Sequence, residues 1–142
     1  MINERSIGIV DNLQAYCFHI LGCGAIGSSV AMQLARMGAE EMVLCDFDDV
    51  EIENVGVSQY FQSDIGKCKV DALKNHIHAI NKDIRVVTHA RRFDEWEATN
   101  KADIVVLGFD SMASRLEAVT IISNAGKFHR PMLLIDGRMG AE

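Results

Sequence analysis

The stretch Tyr16-Cys17-Phe18-His19-Ile20-Leu21-Gly22-Cys23-Gly24-Ala25-Ile26-Gly27 decides the fold. Its first half, YCFHIL, is a short, mostly apolar run bounded by a turn signal, and it reads as a buried strand. Its second half turns on glycine and opens a helical pattern from Ile26 to Met37, with Val30, Leu34 and Met37 on one face and Gly38 as the stop. Gly22 to Gly27 fits G-x-G-x-x-G, and it falls between a strand and a helix, where that pattern has a mechanism. Glycine allows the tight turn and lets backbone N–H groups approach a phosphate at the positive end of a helix. A ligand-free turn would satisfy the same letters; the strand-to-helix context favours a nucleotide.

Outward from this unit, Glu41 to Phe47 reads as a second strand, and Asp46 near its end lies 19 positions after Gly27. That is close to the ~20 expected of an acid that hydrogen-bonds ribose hydroxyls, and a carboxylate there repels a 2′-phosphate, so NAD fits better than NADP. Standing alone, Asp46 would more often read as a solvated turn acid. After a long polar connection, Ser63-Asp64 supplies N-cap chemistry for a helix with Val70, Leu73, Ile77 and Ile80 at core spacing. Ile84 to Thr88, Ile104 to Phe109 and Met132 to Ile135 read as further strands, with a short helix near Glu95 and a longer one from Ser111 to about Lys127. Strands alternating with helices imply an α/β domain: Rossmann-like, doubly wound, with a mainly parallel sheet and helices on both faces. Ligands in such folds bind beyond the carboxyl ends of the strands. The chain ends at Gly140-Ala141-Glu142, just after a strand and a Gly-rich turn, so the domain is expected to be truncated at its C-terminus.

The length of 142 residues, 49% of them apolar and 24% charged, accommodates one globular domain. Fourteen Lys plus Arg against twenty Asp plus Glu give a formal charge of -6, and the basic residues form no block longer than Arg91-Arg92, which argues against nucleic acid as a partner. The first fifteen residues lack the order of a secretory signal, and the apolar run near Ile104 to Phe109 is far shorter than the ~20 residues of a membrane span. The expectation is a soluble, cytoplasmic protein. Cys17, Cys23, Cys45 and Cys68 include no C-x-x-C pair, so they read as reduced and mostly buried thiols. Among five histidines the one close pair, His76 and His78, faces different sides of a helix, and no metal cluster follows from them.

Further motifs follow in order. Asp46-Phe47-Asp48-Asp49-Val50-Glu51-Ile52-Glu53-Asn54 precedes Gln59, then Asp64-Ile65-Gly66-Lys67-Cys68-Lys69, then Asp110-Ser111 with Arg115 beyond. This arrangement resembles the ThiF/MoeB/HesA family of adenylyltransferases, which includes the ubiquitin-activating enzymes, in register from about Tyr16 to the end. The resemblance implies that Gly22, Gly24, Ala25 and Gly27 frame an ATP loop and that Asp46 holds the ribose. It implies that Asp48, Asn54 and Gln59 line the phosphates, that Lys69 binds phosphate, and that Asp110 coordinates Mg²⁺ beside Ser111, where the family often has Asn. Arg5 resembles the arginine that reaches a partner subunit's active site. The activity so implied is ATP- and Mg²⁺-dependent adenylation of the C-terminal carboxylate of a ubiquitin-like protein, a sulfur carrier or a peptide, by a homodimer.

The residue types suit that chemistry. A carboxylate attacking the α-phosphorus of ATP needs positioning and charge stabilisation, not a protein nucleophile. Lys69 adds a positive charge in the first turn of a helix, and Asp110 is a hard oxygen ligand at a strand end. Taken alone, Lys69 would read as a solvated helix lysine, Asp110 as a helix N-cap and Arg115 as a structural arginine. The family usually has an arginine just before the glutamine, whereas Asn54-Val55-Gly56-Val57-Ser58-Gln59 has one extra residue and no arginine. The C-terminal segments that cover a substrate tail, an acceptor cysteine and zinc-binding C-x-x-C pairs are also missing. Cys68 beside Lys69 reads as a bland helix thiol, and Asp136 to Gly140 as a Gly-rich turn. Two other classes stay open: a catalytically silent nucleotide-binding or partner subunit, and an NAD-dependent oxidoreductase.

Overall fold

The computed structural model describes residues 12–126 and 129–137. After a 3₁₀ turn at Leu13–Ala15 come β1 (Tyr16–Leu21), α1 (Ala25–Met37), β2 (Glu41–Cys45) and α2 (Ile52–Val57). A second 3₁₀ turn, Gln62–Asp64, leads to α3 (Lys69–Ile80), β3 (Arg85–His89), β4 (Ala102–Leu107), α4 (Met112–Ser123) and β5 (Leu133–Asp136). The five strands form one parallel sheet in the order β3-β2-β1-β4-β5. The expected Rossmann-like α/β class is what the chain forms. Connections leave β1 towards β2 on one side and β4 towards β5 on the other, so a crevice opens at the carboxyl ends of β1 and β4.

Strand residues alternate between two cores, as the period of two requires. Phe18, Ile20, Met42, Leu44, Ile104 and Val106 point to one face and pack with α1 and α3, whose Val70, Leu73 and Ile77 are buried as expected. Leu21, Cys45, Val105 and Leu107 point to the other, where they meet Ala118 and Ile122 of α4.

Four local expectations give way. Val30, Leu34 and Met37 only flank the core; the buried face of α1 is Gly27, Ser28, Ala31, Met32 and Ala35. Near Gly27 the helix lies so close to the sheet that mostly small residues face it, with Met32 the one large side chain among these five. Ser63 and Asp64 do not cap α3: Asp64 closes the 3₁₀ turn by accepting from the Phe61 amide at 2.8 Å, and Cys68 precedes the helix. The polar connection contains α2, whose amino end is closed by the Asn54 side chain accepting from the Glu51 amide at 2.8 Å and the Asn54 amide donating to the Glu51 carbonyl at 2.9 Å. No helix forms near Glu95. Residues 92–99 run without regular structure, since Phe93 and Trp96 pack against the second core and the Trp96 indole donates to the His129 carbonyl at 2.6 Å. Helix α4 ends at Ser123, and β2, β3, β4 and β5 start or stop one or two residues from their expected ends.

Candidate nucleotide site

Three glycines interlock where β1, α1 and β4 converge. Gly22 has φ +94°, and its amide donates to the Cys45 carbonyl at 2.8 Å. A Cβ on Gly27 would stand 1.9 Å from the Gly22 carbonyl oxygen, and one on Gly108 would stand 2.5 Å from the same atom. The loop therefore leaves β1, crosses the start of α1 and touches the end of β4 at backbone distance. Gly24, the residue preceding α1, is different: the nearest atom to a Cβ there is Asp110 Oδ1 at 4.0 Å. Its missing side chain leaves open space at a helix amino end, which is what an anion requires.

Asp46, almost buried, fastens this loop. One carboxylate oxygen accepts from the Cys23 amide at 2.7 Å and the other from the Asp48 amide at 2.8 Å. From the far side, Tyr60, 2% exposed, donates its hydroxyl to the Cys23 carbonyl. Burial pushes the Cys23 thiol well above its ordinary value, so it is an inert filler of the turn. Partial desolvation, with Asp71 and Asp49 nearby, also raises the Cys68 thiol.

Lys69 is brought in by a return of the chain. Val50 and Gly66 exchange backbone bonds with residues 66–67 and 50, and the Lys69 amide donates to the Asp48 carbonyl at 3.0 Å. That pairing holds Lys69 at the first position of α3, with its ammonium 3.8 Å from the Asp48 carboxylate and its side chain only 10% exposed. Across the crevice Ser111 caps α4, its hydroxyl accepting from the Ser114 amide at 3.0 Å. The cap is thus Ser111, which leaves the exposed Asp110 carboxylate out of helix capping. Arg115 steadies this corner, donating to the Phe109 carbonyl at 2.8 Å while its Nε stands 3.5 Å from Asp136.

Gly22, Gly24, Asp46, Asp48, Lys69, Gly108, Asp110 and Ser111 thereby line one cavity of about 230 Å³. Three carboxylates face a single ammonium in it. An anion entering that field needs additional positive charge, and the exposed oxygens of Asp110 are the hard donors that a small divalent cation takes. Beside this cavity a second cleft is lined by Phe47, Phe93 and Phe109 with Ser114. The sequence reading missed these aromatics, although Phe47 and Phe109 sit next to Asp46 and Asp110 in the chain.

Other named positions lie elsewhere. Ala25 is the first residue of α1, and Gly27 is buried in the interlock rather than exposed to the cavity. The Asn54 side chain accepts from the Glu51 amide at 2.8 Å, and Gln59 is exposed with its amide on Ser28 Oγ at 3.2 Å; neither lines the cavity. Arg5 and residues 138–142 fall outside the described residues.

A glycine loop, a strand-end acid and a helix-start lysine at the switch point of a parallel sheet define a nucleotide-binding α/β domain. The chain belongs to the ThiF family, whose profile matches residues 5–130. It is 32% identical over 89 residues to ubiquitin-like modifier-activating enzyme 5 of Oryza sativa subsp. japonica, covering 61% of this chain and 21% of that protein. It is 38% identical over 88 residues to the tRNA threonylcarbamoyladenosine dehydratase of Bacillus subtilis (strain 168), covering 60% and 35%. The crystal structure of E. coli MccB with ATP superposes with a TM-score of 0.67 at 28% identity, over 77% of this chain and 33% of that one. E. coli TcdA in complex with ATP gives 0.67 at 19% identity over 96% and 61%, a likeness of fold. The chain spans about a fifth to a third of these curated relatives. No helix among its described residues is long and apolar enough to cross a membrane.

Proposed function

We propose that this chain is the nucleotide-binding part of an adenylyltransferase, which joins AMP from ATP to the C-terminal carboxylate of a ubiquitin-like protein, a sulfur carrier or a peptide and releases pyrophosphate. The observation that carries the reading is the single cavity shared by Gly24, Asp46, Lys69 and Asp110. Family membership and the ATP named for MccB and TcdA support it.

In this reading Asp46 accepts from ribose hydroxyls with the lone pairs its two amide bonds leave free, and the Phe47, Phe93 and Phe109 cleft takes the purine. The amino end of α1 at Gly24 faces the phosphates, and Lys69 offsets their charge. Asp110 and Asp48 would hold Mg²⁺, which supplies the positive charge that a polyphosphate needs among three carboxylates. Arg115, by gripping the Phe109 carbonyl, keeps Asp110 aimed at the crevice. Arg5 acting in a partner's site, Asn54 and Gln59 closing over the phosphates, and a homodimer belong to the same proposal.

Thermal unfolding tests it. Mg²⁺-ATP at ~100 times its Kd adds about 2.7 kcal/mol and should raise the midpoint of a domain of this size by roughly 8 °C. Lys69→Ala and Asp110→Ala should each remove most of that shift. A shift with NAD alone would overturn the proposal in favour of an oxidoreductase.

A further inference from the structure

Near the opposite end of β1, on the face that carries α4, a second chemical cluster is buried. Cys17 and His19 alternate on β1 and so point the same way, and Asp103 on β4 is the register partner of Cys17. His19 Nε2 stands 2.8 Å from Asp103 Oδ1, and the Cys17 sulfur, the imidazole nitrogen and the carboxylate all lie within 4.8 Å of one another. All three residues are at most 5% exposed. We propose that Cys17, His19 and Asp103 form a Zn²⁺ site, with the fourth coordination position turned towards a cavity on the same face.

Charge is the first argument. The Asp103 carboxylate, 5% exposed, lies against the His19 imidazole in the sheet face. Glu41 places a second carboxylate next to the Cys17 sulfur. Against these two acids stands Lys101, 3.8 Å from Glu41 and also donating to the Gln14 carbonyl at 2.9 Å. With Glu41 paired to Lys101 and Arg85 and Arg91 lining the same cavity, the buried Asp103 carboxylate is the charge that a divalent cation would offset.

Donor chemistry is the second. Sulfur, imidazole nitrogen and carboxylate oxygen together suit Zn²⁺ rather than Mg²⁺ or Ca²⁺, and three protein donors with one open position is a known form of zinc site. With bonds of ~2.0 to ~2.3 Å, tetrahedral donors lie roughly 3.5 Å apart, so the His19 to Asp103 contact opens by less than an ångström. As zinc enters, the thiol proton leaves to solvent and a sulfur–zinc bond replaces it, while the proton that His19 Nε2 donates to Asp103 moves to Nδ1 so that the Nε2 lone pair faces the metal; no electrons are transferred.

The surroundings are the third. Thr99 grips Asp103 through its hydroxyl at 2.6 Å and its amide at 3.0 Å, the outer bonding that orients a ligating carboxylate. Trp96 lies over His19 with ring centroids 4.6 Å apart. His19, Glu41 and Thr99 also line the cavity of about 250 Å³ from which the fourth ligand, a water molecule, would come. This site shares no residue with the nucleotide cavity, so it stands or falls separately from the proposed function.

The test is titration of the full chain with Co²⁺ in place of Zn²⁺, without nucleotide. One equivalent should produce a thiolate-to-cobalt absorption band and quench Trp96, the only tryptophan in the sequence, and Zn²⁺ should displace it. Cys17→Ser should abolish the band, while Cys68→Ser should leave it intact. Thr99→Val should weaken binding by roughly 10- to 100-fold. Should Cys17→Ser fail to fold, His19→Gln, which can still donate to Asp103, must lose the quenching. No band with the unaltered chain, or a band that survives Cys17→Ser or His19→Gln, overturns the proposal.

Discussion

The two ends of β1 carry sites built by different means. Beyond its carboxyl end, backbone meets backbone: Gly22, Gly27 and Gly108 exclude side chains so that a loop, a helix and a strand can cross. Near its amino end, side chains meet across the sheet register, and the backbone there is ordinary strand. The first site is therefore broken by adding an atom, the second by removing one. The difference also sets cost: an added Cβ in the interlock moves whole elements, whereas a lost donor near Asp103 disturbs one hydrogen-bond network.

The largest expected effect breaks the comparison if it fails. Gly27→Ala puts a Cβ 1.9 Å from the Gly22 oxygen, and it should cost about 3 kcal/mol, the upper part of the usual overpacking range. Gly24→Ala, with open space at that point, should cost less than ~1 kcal/mol of stability yet remove the Mg²⁺-ATP shift. Urea denaturation of both variants, each with and without nucleotide, separates fold from site. Equal destabilisation by the two would mean that the interlock is not what holds the loop.

Asp46→Asn comes next. The carboxylate accepts from two backbone amides on different oxygens, that of Cys23 buried and that of Asp48 partly so, while the amide side chain offers one acceptor. Orphaning one backbone N–H should cost about 2 kcal/mol, measured as a lower urea midpoint with unchanged slope. A neutral result would assign the loop's fastening to Tyr60 instead.

That contrast also explains what could be read from the sequence. The glycine loop, Asp46, Lys69 and Asp110 were legible because each lies in a short strand-to-helix turn or starts a helix, and the fold carries those positions to one crevice. The Cys17, His19 and Asp103 cluster was not. Cys17 and His19 read as two letters of a buried strand, and Asp103 is 84 residues beyond His19, so only the register of β1 on β4 unites them. A short helix was expected near Glu95, but Phe93 and Trp96 on either side of it cover the second core from a segment without regular structure. On α1, large residues at helical spacing suggested the core face, yet the close approach at Gly27 selected small ones there, with Met32 the one large residue on the buried face.

At the amino end of β1, Thr99→Val removes one of three donors to Asp103 and leaves the Thr99 amide and His19 in place. The loss should be about 1 kcal/mol, with the Mg²⁺-ATP shift unchanged. A diminished shift would mean that the two ends of β1 are coupled, which would sharpen the comparison into a question of how strain crosses the strand.

The smallest expected effect concerns Asp64, in the connection that returns the chain to Lys69. Burial pushes its carboxyl up, but the Phe61 amide, His76 at 2.6 Å and Lys67 outweigh burial and hold it below the ordinary carboxylate range. An acid depressed in the folded state contributes stability that is complete above its unfolded pKa of ~3.9 and fades as pH falls through the folded value. Asp64→Asn still accepts from the Phe61 amide but does not titrate. The stability difference between the unaltered chain and this variant should therefore be full at pH 6 and shrink between pH 4 and pH 2, as read from urea midpoints. Because Asp64 braces the carboxyl-end site alone, acid should weaken nucleotide protection before it affects the cluster at the amino end. A difference that stays constant with pH would mean that Asp64 holds the turn through the Phe61 bond alone, and that the His76 pair contributes nothing.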